Sequence, residues 1–217
     1  MIVAEDVLLL LTDDTTGRTL VDGTRRDVAV AGALVGELAS VGRLGVTRTT
    51  GLFRRTEVRV VDATPVGDDV LDDALRRAGG WGGSSPAAVL ERVRKGNPRE
   101  RVYERLAARG ILRAEQGRVL GIFPTTAWPA SDSAHEAEMR RGLHDVLVVG
   151  RPPTAREAAL VALLAGVDGL AKVMADTGLP KRELNARAKR AAPDDIGGEA
   201  VRKALEAIQS AAAAAAT

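Results

Sequence analysis

The chain has 217 residues, with 31 basic against 29 acidic, two histidines and no cysteine, which excludes disulfides, thiolate metal sites and cysteine catalysis together. A 45% hydrophobic and 28% charged composition is that of a globular protein able to bury about 70% of its extended-chain surface, and it predicts a single domain over 1–217. The core spans about 4–210, with an alanine-rich tail at 211–217, and the few aromatic residues (Phe53, Trp81, Tyr103, Phe123 and Trp128) argue against binding of single-stranded nucleic acid by base stacking.

Ala4 to Leu11 is a short apolar run, closed by the turn residues Thr12 to Gly17. Ala29 to Ser40 reads as a buried helix that Gly42 stops. Leu44, Val46 and Arg48 alternate, as do Val58 and Val60, which predicts two strands joined by a basic loop. Asp68 to Ala78 is acidic at its start and basic at Arg76-Arg77, as the helix dipole favours. A glycine-rich break follows at 79–83. Ser85-Pro86 caps a helix through Val93, and Asn97-Pro98 repeats the signal for Pro98 to Arg109, ended by Gly110. Ile111-Leu112 and Val119 to Phe123, with Glu115-Gln116-Gly117 between them, predict a β-hairpin over 111–129. Helices are expected at Ala134–Val149 and at Thr154–Leu170, where Thr154 and Glu157 have capping-box spacing. Lys181–Arg190 and Glu199–Ala214 complete a mainly α chain with a protruding hairpin and a short additional strand pair.

No apolar run reaches the 18 to 20 or so residues that span a bilayer, and Glu5 and Asp6 stand where a secretory signal would be positive. The expectation is a cytoplasmic protein. Arginine outnumbers lysine 26 to 5, as a GC-rich coding bias would produce, so arginine abundance by itself says little about anion binding. Charge is uneven along the chain: residues 1–40 carry seven acids and three bases, whereas 92–118 carry nine bases and three acids.

Within that basic stretch Arg99 lies at helical spacing from Val102, Tyr103 and Leu106, on the inward face, while Arg101, Arg105 and Arg109 form an outer stripe. A cation in the first helical turn opposes the dipole unless an anion or a carboxylate joins it. Arg99, with Lys95, is therefore either the wall of a phosphate pocket or half of an internal ion pair with an acid of the N-terminal third. Asp68, Asp69, Asp72 and Asp73 have the i, i+4 spacing of a magnesium motif, but acids at a helix start need no metal. No metal, cofactor or catalytic constellation is expected: His135 and His144 are far apart on one helix, and the glycine-rich segment lacks a phosphate-loop lysine.

The order of motifs resembles the Golgi phosphoprotein 3 family, which has many actinobacterial members. The resemblance rests on Glu5-Asp6-Val7-Leu8-Leu9-Leu10 with Asp14 and Gly17; Glu37-Leu38-Ala39 with Gly42-Arg43-Leu44; and Pro65-Val66-Gly67-Asp68 with Leu71-Asp72 and Ala74-Leu75. It continues in Asn97-Pro98-Arg99-Glu100-Arg101 leading to Leu106 and Gly110-Ile111-Leu112, and in Phe123, Thr125-Thr126 and Pro129. Less specific similarity runs from Arg156 to Asp168, so that about 4–170 is covered in family order.

The resemblance implies a non-enzymatic, peripheral membrane protein that recognises an anionic phospholipid head group, phosphatidylinositol 4-phosphate in eukaryotic relatives. It also implies binding to cytoplasmic tails of membrane proteins and self-association through the hairpin. Arg99 matches a pocket arginine of the family; the other pocket positions fall at Asp22, Ala31 and Gly96, with Lys95 adjacent and Arg25 and Arg26 within reach. Arg54, Arg55, Arg101, Phe53 and Trp81 are the expected contacts with the inner face of the membrane. Two alternatives remain open at this stage: a protein-interaction or oligomerisation module with a degenerate pocket, and a winged-helix DNA-binding protein using 98–129. Acidic Glu100, Glu104 and Glu115 argue against the latter, and no nucleic-acid partner is expected.

Overall fold

A computed structural model describes residues 1–48, 56–79, 82–119 and 123–192. At the centre lies α1 (Val3–Leu10), buried from Ala4 onward on every side, which is why its sequence carries no polar stripe. It packs against α2 (Gly23–Ser40), α5 (Pro98–Ala108), α6 (Ala134–His144) and α7 (Ala155–Gly166). Helix α2 begins six residues before the expected Ala29. The Asp22 carboxylate accepts from the Arg25 N–H at 2.9 Å, and this cap starts the helix upstream of its apolar spacing.

The first strand pair, β1 (Leu44–Arg48) and β2 (Thr56–Val60), is antiparallel with Leu44 opposite Val60 and Val46 opposite Val58. Leu44, Val58 and Val60 turn inward. The Asp68 side chain caps α3 (Asp69–Ala78), and Ser85 caps α4 (Pro86–Lys95) ahead of Pro86. The start of α5 differs from expectation: Asn97 makes no side-chain cap but sits in the left-handed region at φ 50°, turning the chain sharply from α4 into α5.

The hairpin is present with a shifted turn. Strand β3 (Glu115–Val119) pairs with β4 (Phe123–Ala127), Glu115 opposite Ala127 and Val119 opposite Phe123. Glu115-Gln116-Gly117 is thus strand, not turn. Its polar residues are solvent-exposed, so an apolar pattern could not reveal it. Leu112 instead docks the base of the hairpin in the core, bridging to Ala130. Tyr103 and Trp128 stack there at 5.0 Å and 3°. The α1–α2 loop closes beneath them at Gly17, whose φ is +63° and where a Cβ would come within 2.3 Å of the Trp128 and Pro129 backbone nitrogens.

Helix α6 runs on as a π-helical turn over Asp145–Val149 and ends at Gly150 with φ 89°. Helix α7 opens on the expected capping box: Glu157 N–H to Thr154 Oγ1 at 3.2 Å, and Thr154 N–H to Glu157 Oε2 at 2.8 Å. The apolar stripe Leu160, Leu163, Leu164, Val167 and Leu170 is buried as expected, but Asp168 at φ 58° and Gly169, pressed on Leu11, split off a short α8 (Leu170–Val173). A 3-10 turn (Ala175–Thr177) leads to α9 (Lys181–Ala191). The helix expected at Glu199–Ala214, the tail at 211–217 and the 49–55 loop lie outside the described residues.

Candidate anion-binding site

Asn97 and Pro98 aim the first turn of α5 at the N-terminal end of α2, which places Arg99 against Asp27. Val102, Tyr103 and Leu106 fill the inward face behind it. Arg99 donates through Nη1 to both Asp27 oxygens at 3.3 Å and through Nη2 to Glu100 Oε1 at 2.5 Å. Its side chain is 22% exposed. Burial works against the charged guanidinium, but the Glu100 and Asp27 carboxylates outweigh it and hold the arginine above its ordinary value. Arg26 reaches Asp27 as well, at 2.9 Å, so two guanidiniums share one carboxylate.

The remaining predicted site residues divide by location. Arg25 lies beside this cluster, with Nε 3.1 Å from Asp22 and Nη1 3.5 Å from Asp168. Lys95 is 70% exposed and, among the described residues, reaches only Glu91, at 4.0 Å. Ala31 is buried inside α2, and a Cβ at Gly96 would meet the Arg77 side chain at 2.3 Å, so neither position offers a polar contact. Arg101 is turned from this cluster to Asp73, at 3.5 Å. Arg54, Arg55, Phe53 and Trp81 lie outside the described residues.

The expected outer stripe of α5 is not free. Arg105 contacts Asp68 at 2.8 Å and Glu5 at 3.4 Å, and Arg109 contacts Glu5 at 3.3 Å. Burial raises the Asp68 carboxyl, but Arg105 and the N–H groups of the cap outweigh it and hold it low. The aspartates of α3 are likewise occupied without a metal: Asp68 caps the helix, Asp72 accepts the Val66 N–H at 2.7 Å, and Asp73 holds Arg76 and Arg77. Among the described residues no group of three or more histidine or carboxylate side chains is arranged to hold a metal ion.

Sequence reasoning missed the polar hub at the centre. Glu5 and Asp6 are both fully buried. Glu5 closes the α1 N-terminus by accepting the Ile2 N–H at 2.8 Å, and Asp6 holds His135 Nε2 at 3.0 Å and Arg156 Nε at 2.6 Å. The signal was two acids inside an otherwise apolar run, a pattern that burial permits only with cationic partners. Glu136, also buried, is pushed up to about 8 by burial and by the Asp14 carboxyl beside it, against the pull of Arg140.

The fold is a mainly helical frame with a hairpin, a carboxylate-locked core helix and an arginine pair sharing Asp27 at the α2–α5 corner. The chain matches the family model described as Golgi phosphoprotein 3 (GPP34) over residues 3–208 and belongs to that family. Among curated proteins none matches it. Among the described residues no helix is long and apolar enough to cross a membrane.

Proposed function

We propose that the chain is a non-enzymatic, peripheral membrane protein of the inner membrane face that holds the phosphate of an anionic phospholipid between Arg26 and Arg99. The observation that carries this reading is the shared carboxylate. The 3.3 Å contacts from Arg99 to Asp27 are longer than the 2.7 to 2.9 Å or so of a strong charge-assisted bond. A lipid phosphate offers more acceptor oxygens than a carboxylate, and the N-terminal end of α5 favours an anion near it. It therefore displaces Asp27 by exchange rather than filling an empty pocket. Membership of the Golgi phosphoprotein 3 family supports the class of function. The engagement of Arg105 and Arg109 by Glu5 and Asp68 weighs against the nucleic-acid alternative.

Co-sedimentation with vesicles tests the proposal. Phosphatidylcholine vesicles should not pellet the protein, whereas vesicles doped with phosphatidylglycerol or phosphatidylinositol 4-phosphate should. Arg99→Ala should weaken that binding by about tenfold or more, the worth of a hydrogen bond to a charged group, while Arg101→Ala leaves it within about twofold. Equal loss in both variants, or none in either, refutes the proposal. A second reading is favoured by Asp27 itself: a permanently closed ion pair would leave a protein-interaction or oligomerisation module that works through the exposed hairpin. Capture of membrane-protein tails by wild type and Arg99→Ala alike, without vesicle binding, is its signature.

A further inference from the structure

A groove of about 420 Å³ lies on another face, between the π-helical turn and α9. Its apolar lining includes Val146, Leu147, Val148, Pro152, Pro153 and Ala191, and Arg151, Arg187 and Arg190 also line it. Val149 stands beside it 71% exposed, the most exposed of the large hydrophobic residues among those described. The volume is within the range of specific ligand sites. From the geometry and charge of this groove we propose that it binds an extended, acidic polypeptide segment of a partner protein, with an aliphatic side chain on the apolar floor and carboxylates on the arginines.

Three observations favour that occupant. First, two acceptors of the floor are already satisfied: the Leu147 and Val148 carbonyls, which the helix end leaves open, are both taken by Arg187 Nη1, at 2.8 and 3.2 Å. That guanidinium also offsets the negative helix end, which would otherwise repel an anion. Second, the guanidiniums are preorganised. Arg151 is fixed by the Pro152 carbonyl and Glu157, and Arg187 by its two carbonyls and Glu183, so a partner carboxylate meets Arg190 first and joins the other two in exchange with those acids. Third, the charge balance of the surrounding surface is positive: α9 carries Lys181, Arg182, Arg187, Lys189 and Arg190 against Glu183 alone, and Asp145 and Glu157 are the acids contributed by the facing segments. A recessed floor between two helical elements suits a chain laid into it better than a flat bilayer. The site is independent of Arg99.

The test is a low-salt titration of the full chain with fluorescein-labelled hexapeptides of alternating aspartate and leucine, aspartate and serine, or lysine and leucine. The aspartate-leucine peptide should saturate, the aspartate-serine peptide should bind about tenfold more weakly, and the lysine-leucine peptide should not bind. Arg190→Glu and Val149→Asp, both at exposed positions, should each weaken the first peptide by about tenfold without moving the thermal midpoint. Indifference to peptide charge, or wild-type binding by both variants, overturns the proposal. So does a result in which Arg190→Glu abolishes pelleting with phosphatidylglycerol vesicles while no peptide binds, because the face then belongs to a bilayer.

Discussion

Replacing Asp6 by asparagine should be the most damaging polar change in the core. The carboxylate is fully buried, with His135 at 3.0 Å and Arg156 at 2.6 Å as partners from two other helices. Each hydrogen bond to a charged group is worth about 1.5 to 3 kcal/mol, and breaking a buried pair from one side costs about 3 to 5. His135 and Arg156 both keep access to water, which screens the charge left behind and brings Asp6→Asn to about 3 kcal/mol. For a chain of this length that lowers the thermal midpoint by roughly 6 to 12 °C. Arg156→Ala should cost a similar amount, because it strands the Asp6 charge. The double variant should cost little more than either single change, a coupling of about 2 kcal/mol in a denaturant-unfolding cycle. A midpoint shift below about 2 °C for Asp6→Asn, or additive losses in the double variant, would refute the reasoning that the hub is one interlocked unit.

Three further outcomes can be measured alongside it. Glu136 in the folded chain holds its proton up to about pH 8, against an ordinary 4.5. Its contribution to stability is therefore complete below about 4.5 and is lost as pH rises toward 8, and Glu136→Gln should flatten the midpoint-versus-pH profile across that window; an unchanged profile contradicts the effect of burying Glu136 beside Asp14. Gly17→Ala places a Cβ within 2.3 Å of the hairpin base at a left-handed φ, and should cost about 3 kcal/mol or more and raise hydrogen exchange of the Trp128 amide, which donates to the Gly17 carbonyl at 3.1 Å. Leu8→Ala, in the fully buried face of α1, should cost about 3 kcal/mol with unchanged vesicle binding.

Much of the fold can be read from local chemistry. Caps at Asp68, Ser85 and Thr154, with Pro86 and Pro98 at first-turn positions, place their helices within a few residues, because capping depends on neighbours in sequence. The misplaced hairpin turn has the opposite cause: Glu115, Gln116 and Gly117 of β3 are exposed and carry no apolar side chain, and their pairing with β4 is recorded by no periodicity of its own. The site divides the same way. That Arg99 faces inward follows from its spacing to Val102 and Leu106, and an acid of the N-terminal third as its partner was one of two readings open to the sequence. Which acid it meets, Asp27, depends on the docking of α2 against α5 across a separation of 72 residues. The pairing of Arg105 and Arg109 with Glu5 is equally non-local, and so a stripe that looked solvated is part of the core's electrostatics.

The exchange of Asp27 for a lipid phosphate is tested most directly by Asp27→Asn. With its carboxylate removed, Arg26 and Arg99 lose the internal competitor they share, and Arg99 keeps only its contact with Glu100. Partition onto phosphatidylglycerol or phosphatidylinositol 4-phosphate vesicles should then strengthen by about tenfold, one charge-assisted contact of about 1.4 kcal/mol no longer having to be broken. Partition that weakens, or that stays as in the wild type while Arg99→Ala also changes nothing, would mean that the two arginines serve only the carboxylate they already hold.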